Sequence, residues 1–528
     1  MKALGPVTQN LHSFLAEEED MREPSSIGSK TIIKLQELRV NPPYQLANVL
    51  SATEMPVHDA IVQETKHVKA NQNVLVPLMV DKISTVKRNS KSHDTGASPR
   101  DTSVRSEAPP ISDYCNRDGI LAASQEGIAP QGYDLASVHV ITRHGDRSPM
   151  YTFNRHPNPR LTCQFDPQEV KKDAQLAAFV TTMRGWEGHQ REDSGFMSWA
   201  LYPGRKVCDT SQLSAVGAKQ MLNLGYLMHE RYVQNWRLFG HNFRAEQVLP
   251  RSTEYSRTYQ SAIAFLYAFL PRFNLTDMHV KRVSNLFFCS EQTLSAPCTC
   301  PVLRSLKKQA DAVASSAVKN SSGYDTLVSA VANMYDMPVS RLPRLWAMMD
   351  VFLSHTCNSL PLPCNKQGQC ITPKMVSELW GHVTNYTKYL ITDERYKKYA
   401  SLALHPFLTE IVEQMKDAAN GVTDTRFHLL SGHDATLVPL TVVFGAGGGT
   451  WPRYASRFVL ELYSRKDISE HYIRVLHDGK DLTHEVSFCR GHIHDGMCPL
   501  KRFADFVLRD NLRHFDESDY INLCYSPS

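Results

Sequence analysis

The stretch Val138-His139-Val140-Ile141-Thr142-Arg143-His144-Gly145-Asp146-Arg147-Ser148-Pro149 constrains the fold more than any other part of the chain. Its β-branched apolar run reads as a buried strand. The run ends at once in two arginines flanking a histidine, with Gly145 allowing a sharp turn. Open α/β sheets place their chemistry where a strand gives way to a loop. Two guanidiniums in that position offer forked donors suited to a phosphate dianion. An imidazole between them is both neutral and nucleophilic near neutral pH.

Two distant segments repeat the plan. Arg251-Ser252-Thr253-Glu254-Tyr255-Ser256-Arg257-Thr258 follows the apolar Val248-Leu249-Pro250 and opens a helical stretch, Ser261 to Leu270. Leu429-Leu430-Ser431-Gly432-His433-Asp434-Ala435-Thr436-Leu437 is again an apolar run that turns polar before a helix. Taken singly, a His-Asp pair serves as a helix cap and arginines near a helix start lie on a solvated face. Taken together, three strand ends deliver the residue types that a phosphate site needs.

The three blocks resemble the RHGxRxP signature, the RSTxxxR block and the HD dipeptide of the acid phosphatase branch of the histidine phosphatase superfamily. The resemblance implies a phosphomonoesterase in which His144 attacks phosphorus and forms a phosphohistidine. It makes Arg143, Arg147, Arg257 and His433 the phosphate ligands and Asp434 the proton donor to the leaving oxygen. Arg251 is expected to be structural. The implied fold is α/β, a mostly parallel central sheet flanked by helices with an inserted helical cap, and neither a metal nor a cofactor is implied.

Five cysteine-bearing blocks, at Tyr114-Cys115-Asn116, Phe288-Cys289-Ser290, Cys298 to Val302, Ser487-Phe488-Cys489 and Met497-Cys498-Pro499-Leu500, narrow the resemblance, together with Arg474 to Thr483. They are similar to a Golgi branch of the family that dephosphorylates xylose in the linkage region of proteoglycans. A phosphorylated glycan is therefore the expected substrate partner. The resemblance spans about residues 113 to 528. Two other readings stay open: a lysosomal or secreted acid phosphatase of broad specificity, and a pseudophosphatase that binds phosphoglycans without turnover. Intact His144 and Asp434 speak against the second.

A chain of 528 residues, 42% hydrophobic and 21% charged, can bury one large α/β core plus a cap. The net charge of +4 gives no support to nucleic-acid binding, which needs concentrated basic patches. All 12 cysteines fall between Cys115 and Cys524, an even count that reads as a disulfide framework from an oxidising compartment. Zinc on Cys489, His492, His494 and Cys498 is the competing account. Sequons at Asn274, Asn320 and Asn385 are compatible with lumenal glycosylation.

Met1 to Met21 holds no apolar run of signal or membrane-span length, and the seven residues Val74 to Val80 include Pro77. Two readings follow, an alternative or misassigned start or a cytosolic form whose cysteines stay reduced; the cysteines favour the first, so the Golgi lumen is the expected location. The sequence sets no oligomeric state.

Residues 1–112 read as a flexible leader, with one short helix around Lys30 to Leu38, because their composition cannot offset ordering entropy. Residues 113–528 form the phosphatase domain. Strands are expected at Ala136 to Thr142, Gln247 to Pro250, Arg426 to Ser431, Phe458 to Tyr463 and Tyr472 to Leu476, the last turning at Asp478-Gly479 into Asp481 to Val486. A helix is expected over Ser211 to Asn235, capped by Ser211, and another over Ala435 to Val443. Between about 289 and 401 the pattern turns helical, as at Ser305 to Val318 and Met375 to Tyr389, and is read as the cap.

Overall fold

The computed structural model describes residues 109–117, 124–151, 153, 161–189, 195–289, 297–446, 449–515 and 519–525. The expected leader lies outside the described residues except at its last positions, where helix α1 (Ile111–Cys115) starts. The strands are β1 (Tyr133–Arg143), β2 (Val248–Thr253), β3 (Lys281–Val283), β4 (Phe427–Gly432), β5 (Arg457–Arg465), β6 (His471–His477), β7 (Lys480–Asp481) and β8 (Cys498–Pro499). They form one sheet in the order β3-β2-β4-β1-β5-β6-β7, with β8 pairing β6.

The sheet is mixed, and its core strands are parallel. β3, β2, β4 and β1 run together, while β5 to β8 join as antiparallel neighbours. Register decides what this does for function. Ser431 pairs with both Thr142 and Ser252, and Arg143 pairs with Gly432. Three chain segments therefore leave the sheet level with one another at one edge.

Helices cover both faces: α2 (Pro167–Lys172), α3 (Ala174–Trp186), α4 (Ala215–Met228), α5 (Ser256–Phe269), α6 (Val302–Lys319), α7 (Tyr324–Met334), α8 (Leu345–Cys357), α9 (Pro373–Thr392), α10 (Glu394–Ala419) and α11 (Asp434–Phe444). Val138, Val140, Phe427 and Leu429 pack on one side with Met221, Leu224 and Phe265 of α4 and α5. Ile141 and Leu430 pack on the other with Phe407, Ile411 and Leu437 of α10 and α11. Strand periodicity sends alternate residues to opposite layers, and each fully buried apolar side chain contributes about 1.5–3 kcal/mol. Helices α7, α8 and α9 gather a further core around Val331, Phe352, Leu379 and Trp380.

Two local readings are corrected. The cap of α4 is Ser214, whose Oγ accepts from Gly217 N at 3.0 Å. Ser211 instead has a left-handed backbone (φ 63°), and its hydroxyl accepts from Arg257 Nη1 at 2.6 Å. The Asp478-Gly479 turn is present, with φ of 50° and 84°, but its second arm pairs only over Lys480 and Asp481. The Thr483 hydroxyl takes the Val475 N–H at 3.0 Å, in the place a strand carbonyl would occupy.

Six disulfides use every cysteine: Cys115–Cys357, Cys163–Cys208, Cys289–Cys298, Cys300–Cys524, Cys364–Cys370 and Cys489–Cys498. The last takes both thiols of the zinc alternative. The set fits a protein folded in the lumen of the secretory pathway. Among the described residues no helix is long and apolar enough to cross a membrane.

Candidate active site

His144 follows directly on β1, and its N–H donates to Gly432 O of β4 at 3.0 Å. Gly145 is required here by close approach rather than by a turn. A Cβ on Gly145 would lie 2.2 Å from Gly217 O, and one on Gly217 would lie 2.1 Å from Asp146 O. The loop therefore seats backbone against backbone on the first turn of α4. Asp146 completes the anchor, accepting from Ser214 Oγ at 2.5 Å and from Asn358 Nδ2 at 3.1 Å.

The ring of His144 is fixed by one contact. Nδ1 lies 2.7 Å from Gly145 O, and a carbonyl can only accept, so the proton sits on Nδ1 and Nε2 carries the lone pair. Burial, followed by the charges of Arg257 and Arg143, holds this imidazole well below the usual histidine range. It is neutral, oriented and unprotonated at Nε2, as a nucleophile must be.

The arginines are held around it. Arg143 donates from Nη1 to Pro452 O at 2.6 Å and from Nη2 to Tyr114 Oη at 3.0 Å, and its guanidinium lies 4.4 Å from the centre of the Tyr454 ring. Arg147 pairs with Asp350 Oδ1 of α8 at 2.8 Å. Arg257, one residue into α5, lies over the Tyr255 ring at 4.5 Å and reaches His433 Nδ1 at 3.4 Å. Arg251 points elsewhere. Its Nη1 meets both oxygens of Glu410 at 2.9 Å, beside the stacked His139–His428 pair, in keeping with a structural part.

His433 and Asp434 start α11. The Thr253 hydroxyl donates to Thr258 Oγ1 at 3.0 Å, so it accepts from His433 Nε2–H at 2.8 Å, and Nδ1 is left to accept from Arg257. Burial, then Arg257, depresses the pKa of His433 well below its ordinary value. Its ring meets that of His144 edge-on at 5.6 Å. Asp434 Oδ2 takes Arg143 Nη2 at 2.9 Å and the Trp451 indole N–H at 3.1 Å, and its side chain is 24% exposed. Burial opposes its ionisation, but Arg143 and Arg147 outweigh that and hold the carboxyl below its ordinary range.

All six residues singled out from the sequence thus meet at one sheet edge. The sequence reading missed Tyr114, Tyr454, Asp350 and Trp451, which hold those residues in place. A signal existed for Asp350, the one charge in the apolar run Leu345 to Leu353. A charge in such a run must be paired if buried. Tyr454 and Trp451 carry no such mark. The sequon residues Asn320 and Asn385 are exposed, and Asn274 is half-buried, bonded to Thr276 and Asp277. A groove of about 580 Å³ lies at the opposite ends of β1 and β4, lined by Leu135, Gln247 and Arg426 among others. It contains none of these groups.

Three guanidiniums stand around two neutral histidines, and the Nε atoms of Arg143 and Arg147 are buried without a partner among the described residues. That suits an anion. A pocket of fixed cations around an oriented imidazole can take up a phosphoryl group and stabilise its transfer.

Comparison with known proteins points the same way. The histidine phosphatase superfamily (branch 2) matches residues 134–478. The 2-phosphoxylose phosphatase 1 of Mus musculus is 34% identical over 430 residues, covering 78% of this chain and 85% of that protein. The Homo sapiens protein of the same name is 32% identical over 414 residues, with 76% and 84% covered. Lysophosphatidic acid phosphatase type 6 of Homo sapiens is more distant, 24% identical over 385 residues.

Proposed function

The chain belongs to branch 2 of the histidine phosphatase superfamily, and on that premise we propose that it removes the 2-phosphate from xylose in the linkage region of proteoglycans through a phosphohistidine. It is a phosphoric monoester hydrolase. The observation that carries the mechanism is the His144 ring, locked by Gly145 O with Nε2 bare among three arginines.

His144 Nε2 attacks phosphorus, the bond from phosphorus to the sugar oxygen breaks, and Asp434 gives that oxygen a proton. Arg143, Arg147 and Arg257 hold the equatorial oxygens, and His433 joins them once the dianion draws a proton onto Nδ1 and makes it a donor. Water then attacks the phosphohistidine, Asp434 takes its proton, and inorganic phosphate leaves. Because Arg143 keeps Asp434 ionised in the free enzyme, the proton arrives with the substrate. A phosphomonoester loses its second proton near pH 6, so its monoanion is abundant in a mildly acidic compartment. On entry that proton passes to Asp434, and the dianion meets the arginines.

The substrate assignment is supported by relatives that carry the 2-phosphoxylose name over most of their length. The helices between about 289 and 401 serve as the cap over the sheet edge, residues 1–112 as a stem, and the Golgi lumen as the location. The disulfides are in keeping with that location. The test compares kcat/KM for the phosphorylated galactose-galactose-xylose glycan with free xylose 2-phosphate and generic phosphomonoesters. A clear preference for the glycan is expected, because remote sugars add binding used in the transition state. No preference would return the chain to the broad acid phosphatases.

A further inference from the structure

Resting on the reading of a sugar leaving group, we infer that Trp346 and Trp451 form an aromatic platform that holds the pyranose ring of the substrate beside Asp434. The Trp451 indole N–H donates to Asp434 Oδ2, the oxygen that also takes Arg143. An oxygen that receives its proton from Asp434 must come within hydrogen-bond reach of that carboxylate. The carbon skeleton of the leaving alcohol therefore lies against the indole tethered to it.

Trp346 extends this surface. Its ring centre is 4.0 Å from that of Trp451, at 44° between the planes. It opens α8 one turn before Asp350, and residues four apart share a helix face. Asp350 holds Arg147, and Asn358 at the end of the same helix holds Asp146. One helix thus sets the arginine, the nucleophile loop and the platform together.

Two observations favour a ligand role over simple packing. The other aromatic rings of the site are occupied, since Tyr114 and Tyr454 lie against Arg143 and Tyr255 against Arg257. Trp346 and Trp451 are half-buried and carry no guanidinium on their faces among the described residues. The Trp346 Nε1–H is also covered and has no hydrogen-bond partner among the described residues. A buried donor left unmet costs about 1–3 kcal/mol, so this ring is not placed for packing alone. The C–H face of a pyranose is apolar and faintly positive, and the face of an aromatic ring is negative.

The test reads the ratio of kcat/KM for a 2-phosphoxyloside to kcat/KM for ethyl phosphate, which has no ring to stack. In Trp346→Ala that ratio should fall about tenfold or more, and Trp346→Phe, which keeps a ring and tests the site without a cavity, should hold it within about threefold of wild type. An unchanged ratio in Trp346→Ala, or an equal fall in both variants, would overturn the platform. A wild-type enzyme that does not favour the xyloside over ethyl phosphate would overturn the substrate reading itself.

Discussion

Two buried charge networks, one in each half of the sheet, are built in opposite ways. In the antiparallel half, Glu461 is filled on every side. Oε1 accepts from Tyr232 Oη at 2.7 Å and Gly127 N at 2.6 Å, and Oε2 from Tyr463 Oη and Arg474 Nη1, both at 2.9 Å. Arg474 also binds Asp481 Oδ2 at 2.8 Å. In the parallel half, Arg143, Arg147 and Arg257 stand around neutral histidines, with Arg143 on Asp434 and Arg147 on Asp350. The Nε atoms of Arg143 and Arg147 are buried and unpaired among the described residues. The Glu461 network is complete in the free protein, whereas the second leaves donors that a bound anion would meet.

The strongest way to break that contrast is at the nucleophile. His144→Ala should lower turnover by several orders of magnitude while the fold persists, because the covalent step is lost and the arginines remain. Brief exposure to labelled substrate followed by quenching should mark the wild type at histidine and leave the variant bare. A variant with near-normal turnover would show that phosphoryl transfer does not pass through this ring.

A matched pair of arginine deletions comes next. Arg257→Met should cost about 10²–10³ in kcat/KM, the scale of one lost transition-state donor, with only about 1–2 kcal/mol of stability lost as Ser211 Oγ and His433 Nδ1 each lose a donor. Arg474→Met should do the reverse. It strands the fully buried Glu461 and unpairs the half-buried Asp481, so about 3–5 kcal/mol of stability should be lost, with kcat/KM per folded molecule within about twofold. Urea unfolding and steady-state kinetics on both proteins measure the four quantities. If Arg257→Met proves as destabilising as Arg474→Met, the site is a structural network like its neighbour.

The reactive half was the more legible in sequence. Its residues lie in short blocks just beyond strands, where a mixture of apolar run and polar end marks both the element and its edge. His144, Arg257, His433 and Asp434 could therefore be found together, from three strand ends that repeat one plan and from the family blocks they resemble. Their supports come from elsewhere in the chain. Tyr114 reaches Arg143 because Cys115–Cys357 ties α1 to α8 across 242 residues, and no local pattern records that pairing. Pro452 contributes only a carbonyl to Arg143, which any residue could supply. The position of the α4 cap failed for a related reason. Ser211 and Ser214 are equivalent by propensity, and what separates them is that one is bonded to Arg257 and the other to Asp146.

The smallest expected effect concerns protons. His144 and His433 have folded-state pKa values below the ordinary histidine value, so each contributes stability that is fully present above about pH 6.5 and is lost as pH falls through that value toward the folded one. Asp434, also depressed, contributes above about pH 3.9 and fades only below it. Between pH 7.5 and 5.5 the free protein should therefore lose thermal stability through its buried histidines. Sulfate remains a dianion across that range, and in the site it removes the electrostatic reason for keeping His433 neutral. Its stabilisation should grow as pH falls, reaching a few degrees in Tm at about 100 times its Kd. Arg257→Met should lose that increment and Arg474→Met should keep it, which separates site binding from the general effect of sulfate on burial. An increment that is flat with pH, or that survives in Arg257→Met, would show that the arginines of the parallel half are not what the anion meets.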